Sequence, residues 1–198
     1  SPKVVINCSW LSTEEADYKH LSENVRWEST TINLHESAMK RNIRIYSIGT
    51  GAETDFTVEN QYVNSKRRTS HHLVDHGLLE EACWIRPTYI FSWADQRPHI
   101  LRDACLKTQV NSFELLEPEK RNDFIHINDV VSGILHCTET KKTGIFEMRS
   151  GILMKNQEFL GKALAEREFL DPEDECHYQT WQDNHFFWNP KFTSAVLC

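Results

Sequence analysis

The sequence predicts an α/β protein, a Rossmann-like parallel sheet with helices on both faces and a smaller, mixed α/β part after it. Three observations predict it. Short apolar runs at Val4–Cys8, Ile43–Ile48 and Ala82–Pro87 have the length and β-branched content of strands. Helical stretches separate them, and alternating strands and helices build parallel sheets. The run Ile43–Ile48 then breaks into Gly49-Thr50-Gly51, which exposes the carboxyl end of a buried strand.

In chain order, Val4–Cys8 is the first strand and ends in Ser9-Trp10. Ser22 is placed to cap a helix running to about Lys40, with Val25, Ile32 and Met39 on its inward stripe. The Ile43–Ile48 strand follows, then a polar gap and a helix carrying Tyr62 and Lys66. Gly77 is the expected stop of that helix. Ala82–Pro87 is a strand closed by its proline. The texture changes after Phe91, which divides the chain into two parts, 1–91 and 92–198. In the second part Ile100–Val110 reads as a short helix and Asp123–Ile127 as a strand. Asn128 or Asp129 then caps a helix whose core face is Val130, Val131, Ile134 and Leu135. Gly144–Met148 is another strand, and Asn156 caps a helix carrying Phe159, Leu160, Ala163 and Leu164. Trp181, Phe186, Phe187 and Trp188 read as core of the C-terminal part, since no basic groove accompanies them.

The totals narrow the function. The 198 residues suffice for a buried core, and 39% apolar with 26% charged residues is ordinary for a globular protein. A net charge of −7 argues against a nucleic-acid or membrane-surface binder. No apolar run approaches the roughly 20 residues of a membrane helix, and no secretory leader is visible. The six cysteines are scattered without a C-x-x-C pair, which suits reduced thiols, and the expected location is the cytoplasm. His71, His72 and His76 lack the glutamate of a metal-binding helix motif and a third ligand, so no metal site is expected.

Tyr62 and Lys66 are four residues apart, so on a helix both lie on one face. A hydroxyl at a strand end together with a tyrosine–lysine pair on the next helix is a proton-transfer set. A free tyrosine is a weak base at neutral pH, and an ammonium one turn away favours its phenolate.

Several segments carry a family resemblance in one order: VVINCSW, Asn24 opening a helix, the Thr50/Tyr62/Lys66 set, WIRPTYIF, RNDFIHINDVVSGI, GIFEMRSG and the closing WNPKF. The chain resembles the extended short-chain dehydrogenase/reductases, in particular the branch that modifies nucleotide-linked sugars. The resemblance implies Thr50, Tyr62 and Lys66 as catalytic residues. It implies NAD or NADP as cofactor, held by Cys8, Ser9, Trp10, Asn24, Tyr62, Lys66 and Pro87, the first three mainly through their backbone. It implies that 1–91 is the cofactor-binding part and 92–198 mainly the substrate-binding part, with Arg97, Arg121 and Asn122 where the family's substrate contacts lie and Gln96 adjoining Arg97. The implied partners are a nucleotide-sugar substrate and a second copy, paired through the helices that begin near Ser22 and Tyr62.

Within that branch the 4,6-dehydratases place Asp-Glu directly after the threonine, whereas Gly51-Ala52 follows here. The expected reaction is therefore 4-epimerisation or 4-keto reduction. A non-catalytic dinucleotide-binding regulator is the alternative. The family's Gly-rich phosphate turn does not precede Val4, and the Thr50-to-Tyr62 spacing is short. The expectation is that a further amino-terminal piece or omitted segments belong to the complete protein.

Overall fold

A computed structural model describes residues 2–10, 22–92, 100, 115 and 117–167. Gln96, Arg97, the helix expected beyond Ile100, and the aromatic residues from Trp181 onward lie outside the described residues.

The elements in order are β1 (Val4–Asn7), α1 (Glu23–Met39), β2 (Arg44–Ile48), a 3₁₀ turn (Gly51–Thr54), α2 (Gln61–Asp75), β3 (Ala82–Pro87) and β4 (Tyr89–Phe91). After these come β5 (Arg121–His126), α3 (Ile127–Glu139), β6 (Gly144–Met148), β7 (Leu153–Lys155) and α4 (Asn156–Arg167). The chain divides into two compact units. One holds the described residues up to Thr88 with Val130–Met148; the other holds Tyr89–Asp129 and the described residues from Arg149.

In the first unit a parallel sheet runs β1-β2-β3-β6, with Tyr46 beside Cys83 and Trp84 beside Ile145. Successive side chains of a strand point to opposite faces. On one face Ile45, Ala82, Trp84 and Ile145 pack with Ala38 of α1 and Leu73 of α2. On the other, α3 lies so close to β6 that a Cβ at Gly133 would stand 2.9 Å from the Met148 side chain. Helices therefore cover both faces, as the sequence predicts. In the second unit the sheet is mixed: β4 and β5 are parallel, β5 and β7 antiparallel. Its core is aromatic, with the Phe124 and Phe159 rings stacked at 3.7 Å and Phe91 edge-on to Phe159 at 5.0 Å.

Five sequence-based assignments need correction. Ser22 does not cap α1 through its side chain, because its backbone is already helical (φ −61°, ψ −22°). The inward face of α1 is Asn24, Thr31, His35 and Ala38, while Val25 and Met39 are exposed. The reason is polar: Ser47 of β2 faces that helix, and His35 Nε2 meets its hydroxyl at 2.8 Å. In α3 the buried residues are Asp129, Val130, Gly133, Ile134 and Cys137, and Val131 and Leu135 are exposed. That helix starts at Ile127 rather than after it, and the His126 ring accepts the Asn128 N–H at 3.1 Å. Asn156 is inside α4 and does not act as its cap: it accepts from Asn122 Nδ2 (2.7 Å) and donates to Glu117 O (3.0 Å).

Candidate active site

The site is built where β2 ends. Gly49 is required there, because a Cβ would come within 2.4 Å of Glu53 Oε1 and of Trp84 Nε1. Thr50 is extended (φ −150°, ψ 144°) and begins the 3₁₀ turn with a capping box. Its N–H donates to Glu53 Oε1 at 2.7 Å, and its hydroxyl oxygen accepts from Ala52 N at 3.4 Å. That contact uses the oxygen as acceptor and leaves the hydroxyl proton available for donation.

Glu53 is buried and paired. Its carboxylate takes the Arg86 Nε–H at 2.8 Å and the Trp84 indole N–H at 3.0 Å. Arg86 reaches on to Ser70 Oγ of α2 at 3.1 Å. Both charges are nearly out of water, which is tolerable only because each is hydrogen-bonded.

Helix α2 starts cleanly. Asn60 caps it by accepting from Val63 N at 2.9 Å, and Gly77 (φ +65°) ends it after His76. Tyr62 is half-buried, and Lys66 one turn later is 2% exposed. Lys66 Nζ donates to the Ile48 carbonyl, two residues before Thr50. The ammonium lies 3.9 Å from the Trp10 ring centre and 5.7 Å from that of Tyr62. Burial pushes its pKa down to about 7, against the opposing pull of Glu53 and Cys8.

Trp10 joins the expected residues through its side chain, where the sequence suggested backbone contacts. Its indole N–H donates to Asn24 Oδ1 at 2.9 Å, its ring lies edge-on to Tyr62 at 6.4 Å, and its face covers Lys66. The structure thus gathers Trp10, Asn24, Tyr62 and Lys66 at the carboxyl edge of the sheet. Cys8 is exposed beside them, and Ser9 N is held by Asn7 Oδ1 at 3.0 Å. Pro87 is buried, and its carbonyl would stand 3.1 Å from a Cβ on Gly51. In the second unit Arg121 is exposed on β5 beside Lys155, and Asn122 is bonded to Asn156.

Two residues escaped the sequence reading. The Glu53 carboxylate was signalled by Thr50-x-x-Glu53, the capping-box pattern. Arg67, which bonds the carbonyls of Ala52, Glu53 and Asp55, left no such signal. Among the described residues no group of three or more His, Cys, Asp or Glu side chains is arranged to hold a metal ion. The His72 and His76 rings stack at 3.9 Å. No described helix is long and apolar enough to cross a membrane.

No protein-family model and no curated protein sequence matches the chain. Solved structures do. UDP-N-acetylglucosamine 4-epimerase from Methanobrevibacter ruminantium M1, in complex with UDP-N-acetylmuramic acid, gives a TM-score of 0.66 at 12% identity, over 85% of this chain and 61% of that one. UDP-glucose 4-epimerase from Thermotoga maritima, with UDP-glucose, gives 0.65 at 16% identity, over 87% and 63%. A dTDP-glucose 4,6-dehydratase double mutant from Streptomyces venezuelae, with NAD bound, gives 0.67 at 13% identity, over 84% and 57%. The likeness establishes the fold: this chain has the Rossmann-like α/β fold of these epimerases and dehydratases. It spans less than two thirds of each of them.

Proposed function

We propose that the protein is an NAD- or NADP-dependent enzyme of the extended short-chain dehydrogenase/reductase family, acting at a sugar carbinol or ketone of a nucleotide sugar. The reaction is 4-epimerisation or 4-keto reduction. One observation carries the reading: Lys66 is buried on the same face of α2 as Tyr62 and bonds the carbonyl of Ile48, the last residue of β2, two residues before Thr50. The donor set fits a dinucleotide, because only one of the three ammonium N–H groups of Lys66 has a hydrogen-bond acceptor among the described residues. Lys66 and Tyr62, with Asn24, Trp10, Ser9, Cys8 and Pro87 around them, would hold it. A bound nicotinamide supplies the two-electron acceptor or donor at the sugar carbon.

The chain's own residues handle the proton. Tyr62 takes the carbinol proton in the oxidative direction and returns one to the alkoxide in the reductive direction. Lys66 as ammonium stabilises the phenolate, and the phenolate in turn favours the ammonium. Thr50 donates a hydrogen bond to the reacting oxygen. Arg121, Asn122 and Arg97 are assigned to the nucleotide-sugar side, and a homodimer through α1 and α2 is part of the same reading. Gly51-Ala52 after Thr50 speaks against dehydration.

One observation favours a regulator that binds a dinucleotide without turnover. The Trp10 ring lies against the Lys66 ammonium, so the lysine is already partnered. The comparison of parent with Tyr62→Phe separates the two: the enzyme loses turnover of roughly 10²–10⁴-fold, and the regulator has none to lose.

A further inference from the structure

We infer that Arg67 is a positioning residue: one guanidinium on α2 grips the turn that begins at Thr50 and so sets Thr50 against Tyr62 and Lys66. The inference rests on the catalytic assignment proposed above. Arg67 follows Lys66 directly, so it leaves α2 about 100° round from it and reaches the turn. Its Nε–H donates to Glu53 O at 2.9 Å, and one terminal nitrogen donates to Ala52 O at 3.3 Å and to Asp55 O. The other terminal nitrogen is held by Asn64 Oδ1 at 3.0 Å, and the Phe56 ring centre lies 5.1 Å from the guanidinium carbon.

Ala52 O and Asp55 O already accept from Asp55 N (3.2 Å) and Val58 N (3.1 Å), so the guanidinium adds a second bond to each and also bonds Glu53 O, all at the C-terminal end of a short helical turn, where a cation is favoured. A planar fork satisfies several of them at once; a lysine, with a point charge, would not. From the other side Glu53 fastens the same turn to β3 through Arg86 and Trp84. Glu53 holds the turn to the sheet, and Arg67 holds it to the helix that carries the tyrosine and lysine. Removing Arg67 leaves Thr50 just beyond the end of β2 but frees the turn that orients its hydroxyl. Misplacement by about 1 Å of a group that orients a reacting atom costs up to about 10²-fold in rate.

The test compares the full protein with Arg67→Gln, Arg67→Lys, Thr50→Ala and the Arg67→Gln/Thr50→Ala double variant. Arg68→Gln is the neighbouring control, since Arg68 bonds Glu28 and Ser65 instead. Arg67→Gln is expected to lower kcat about 10–100-fold with KM for the nucleotide sugar within about threefold. Arg67→Lys recovers part of that loss. In the Thr50→Ala background the same substitution lowers kcat by less than about twofold, because the group it positions is gone. In the ligand-free protein, amide hydrogen exchange at Ala52–Asp55 quickens in Arg67→Gln and not in Arg68→Gln. Parental kcat in Arg67→Gln, an undiminished loss in the Thr50→Ala background, or unchanged exchange at the turn would each overturn the inference. If Arg67→Gln does not fold, Arg67→Lys carries the same comparisons. Failure of the underlying reading looks different: the parent shows no turnover, or Tyr62→Phe matches it, while the exchange result still reports whether Arg67 holds the turn.

Discussion

The two units bury different chemistry. In the first, Asn24, Thr31, His35, Ser47, Glu53, Lys66, Thr69, Ser70 and Arg86 are all nearly inaccessible. Each unit also has an apolar cluster: in the second it is Phe91, Phe124, Met154, Phe159, Leu160 and Ala163, with partly buried Ile100, Leu115 and Leu164 against it, and the buried polar side chains there are fewer: Asp123, His126, Asp129, Ser150 and Asn156. Apolar burial is non-directional and favourable, so the second arrangement is what a chain does for stability. Buried polar groups gain little net stability but fix geometry, provided each is partnered. The first unit has the more extensive buried polar network and carries Thr50, Tyr62 and Lys66, so the contrast teaches where the chain fixes geometry rather than adding apolar burial.

The contrast breaks hardest at Lys66. Lys66→Met should abolish turnover, by 10³-fold or more on the scale of lost acid/base and electrostatic groups, and should weaken cofactor binding. It should also stabilise the fold below neutrality. The folded pKa of about 7 lies below the ordinary 10.5, so the burial penalty is present in full below pH 7. Between pH 7 and 10.5 the unfolded chain holds the extra proton, and the penalty is relieved as pH rises. The gain from Lys66→Met is thus largest near pH 6, at most about 5 kcal/mol, and shrinks toward pH 10. Denaturant midpoints of parent and variant at both pH values check it; an unstable variant at pH 6 contradicts it.

The second unit gives the opposite signature. Phe159 is 1% exposed and packs on Phe91 and Phe124, so Phe159→Ala should cost about 3–5 kcal/mol. Thermal unfolding reads this directly. A loss under about 1 kcal/mol would mean that the aromatic cluster is not the source of that unit's stability.

The smallest effect is acid sensitivity. Burial holds His35 down to about 4 from its ordinary 6.5, and its Nδ1 has no hydrogen-bond partner among the described residues. The folded protein therefore keeps His35 neutral while the unfolded chain takes up a proton below pH 6.5. Stability contributed by this group falls as pH drops from 6.5 toward 4, by up to about 3 kcal/mol. Replacing His35 with Gln should flatten that slope in denaturant titrations at pH 7 and 4.5. His126, edge-on to Phe91 at 5.0 Å, is held neutral by burial as well, so acid sensitivity is shared and the histidine variants apportion it.

Much of the fold was legible because strands in a parallel sheet are short β-branched runs bounded by Gly and Pro. Ala82–Pro87 and Gly144–Met148 coincide with β3 and β6, and Gly77 ends α2. The inward faces of α1 and α3 were not legible from apolar periodicity. His35 turns inward to meet Ser47, and Gly133 faces Met148 because the helix approaches closely there. In the candidate site, the shared helix face of Tyr62 and Lys66 was legible from their spacing, while the Trp10 indole over Lys66 depends on a contact 56 positions apart in sequence. Arg67 was invisible for a different reason: it reads backbone carbonyls, which every sequence possesses.

The central claim, that Tyr62 moves the proton, is tested most directly by Tyr62→Phe, which keeps the ring against Trp10 and removes one hydroxyl. The complete protein, with bound dinucleotide identified after denaturation, is assayed for nicotinamide absorbance change and sugar product. Turnover should fall roughly 10²–10⁴-fold with folding and nucleotide-sugar binding nearly unchanged. Turnover at the parental rate would contradict the claim and leave Tyr62 as an ordinary half-buried residue packed beside Trp10.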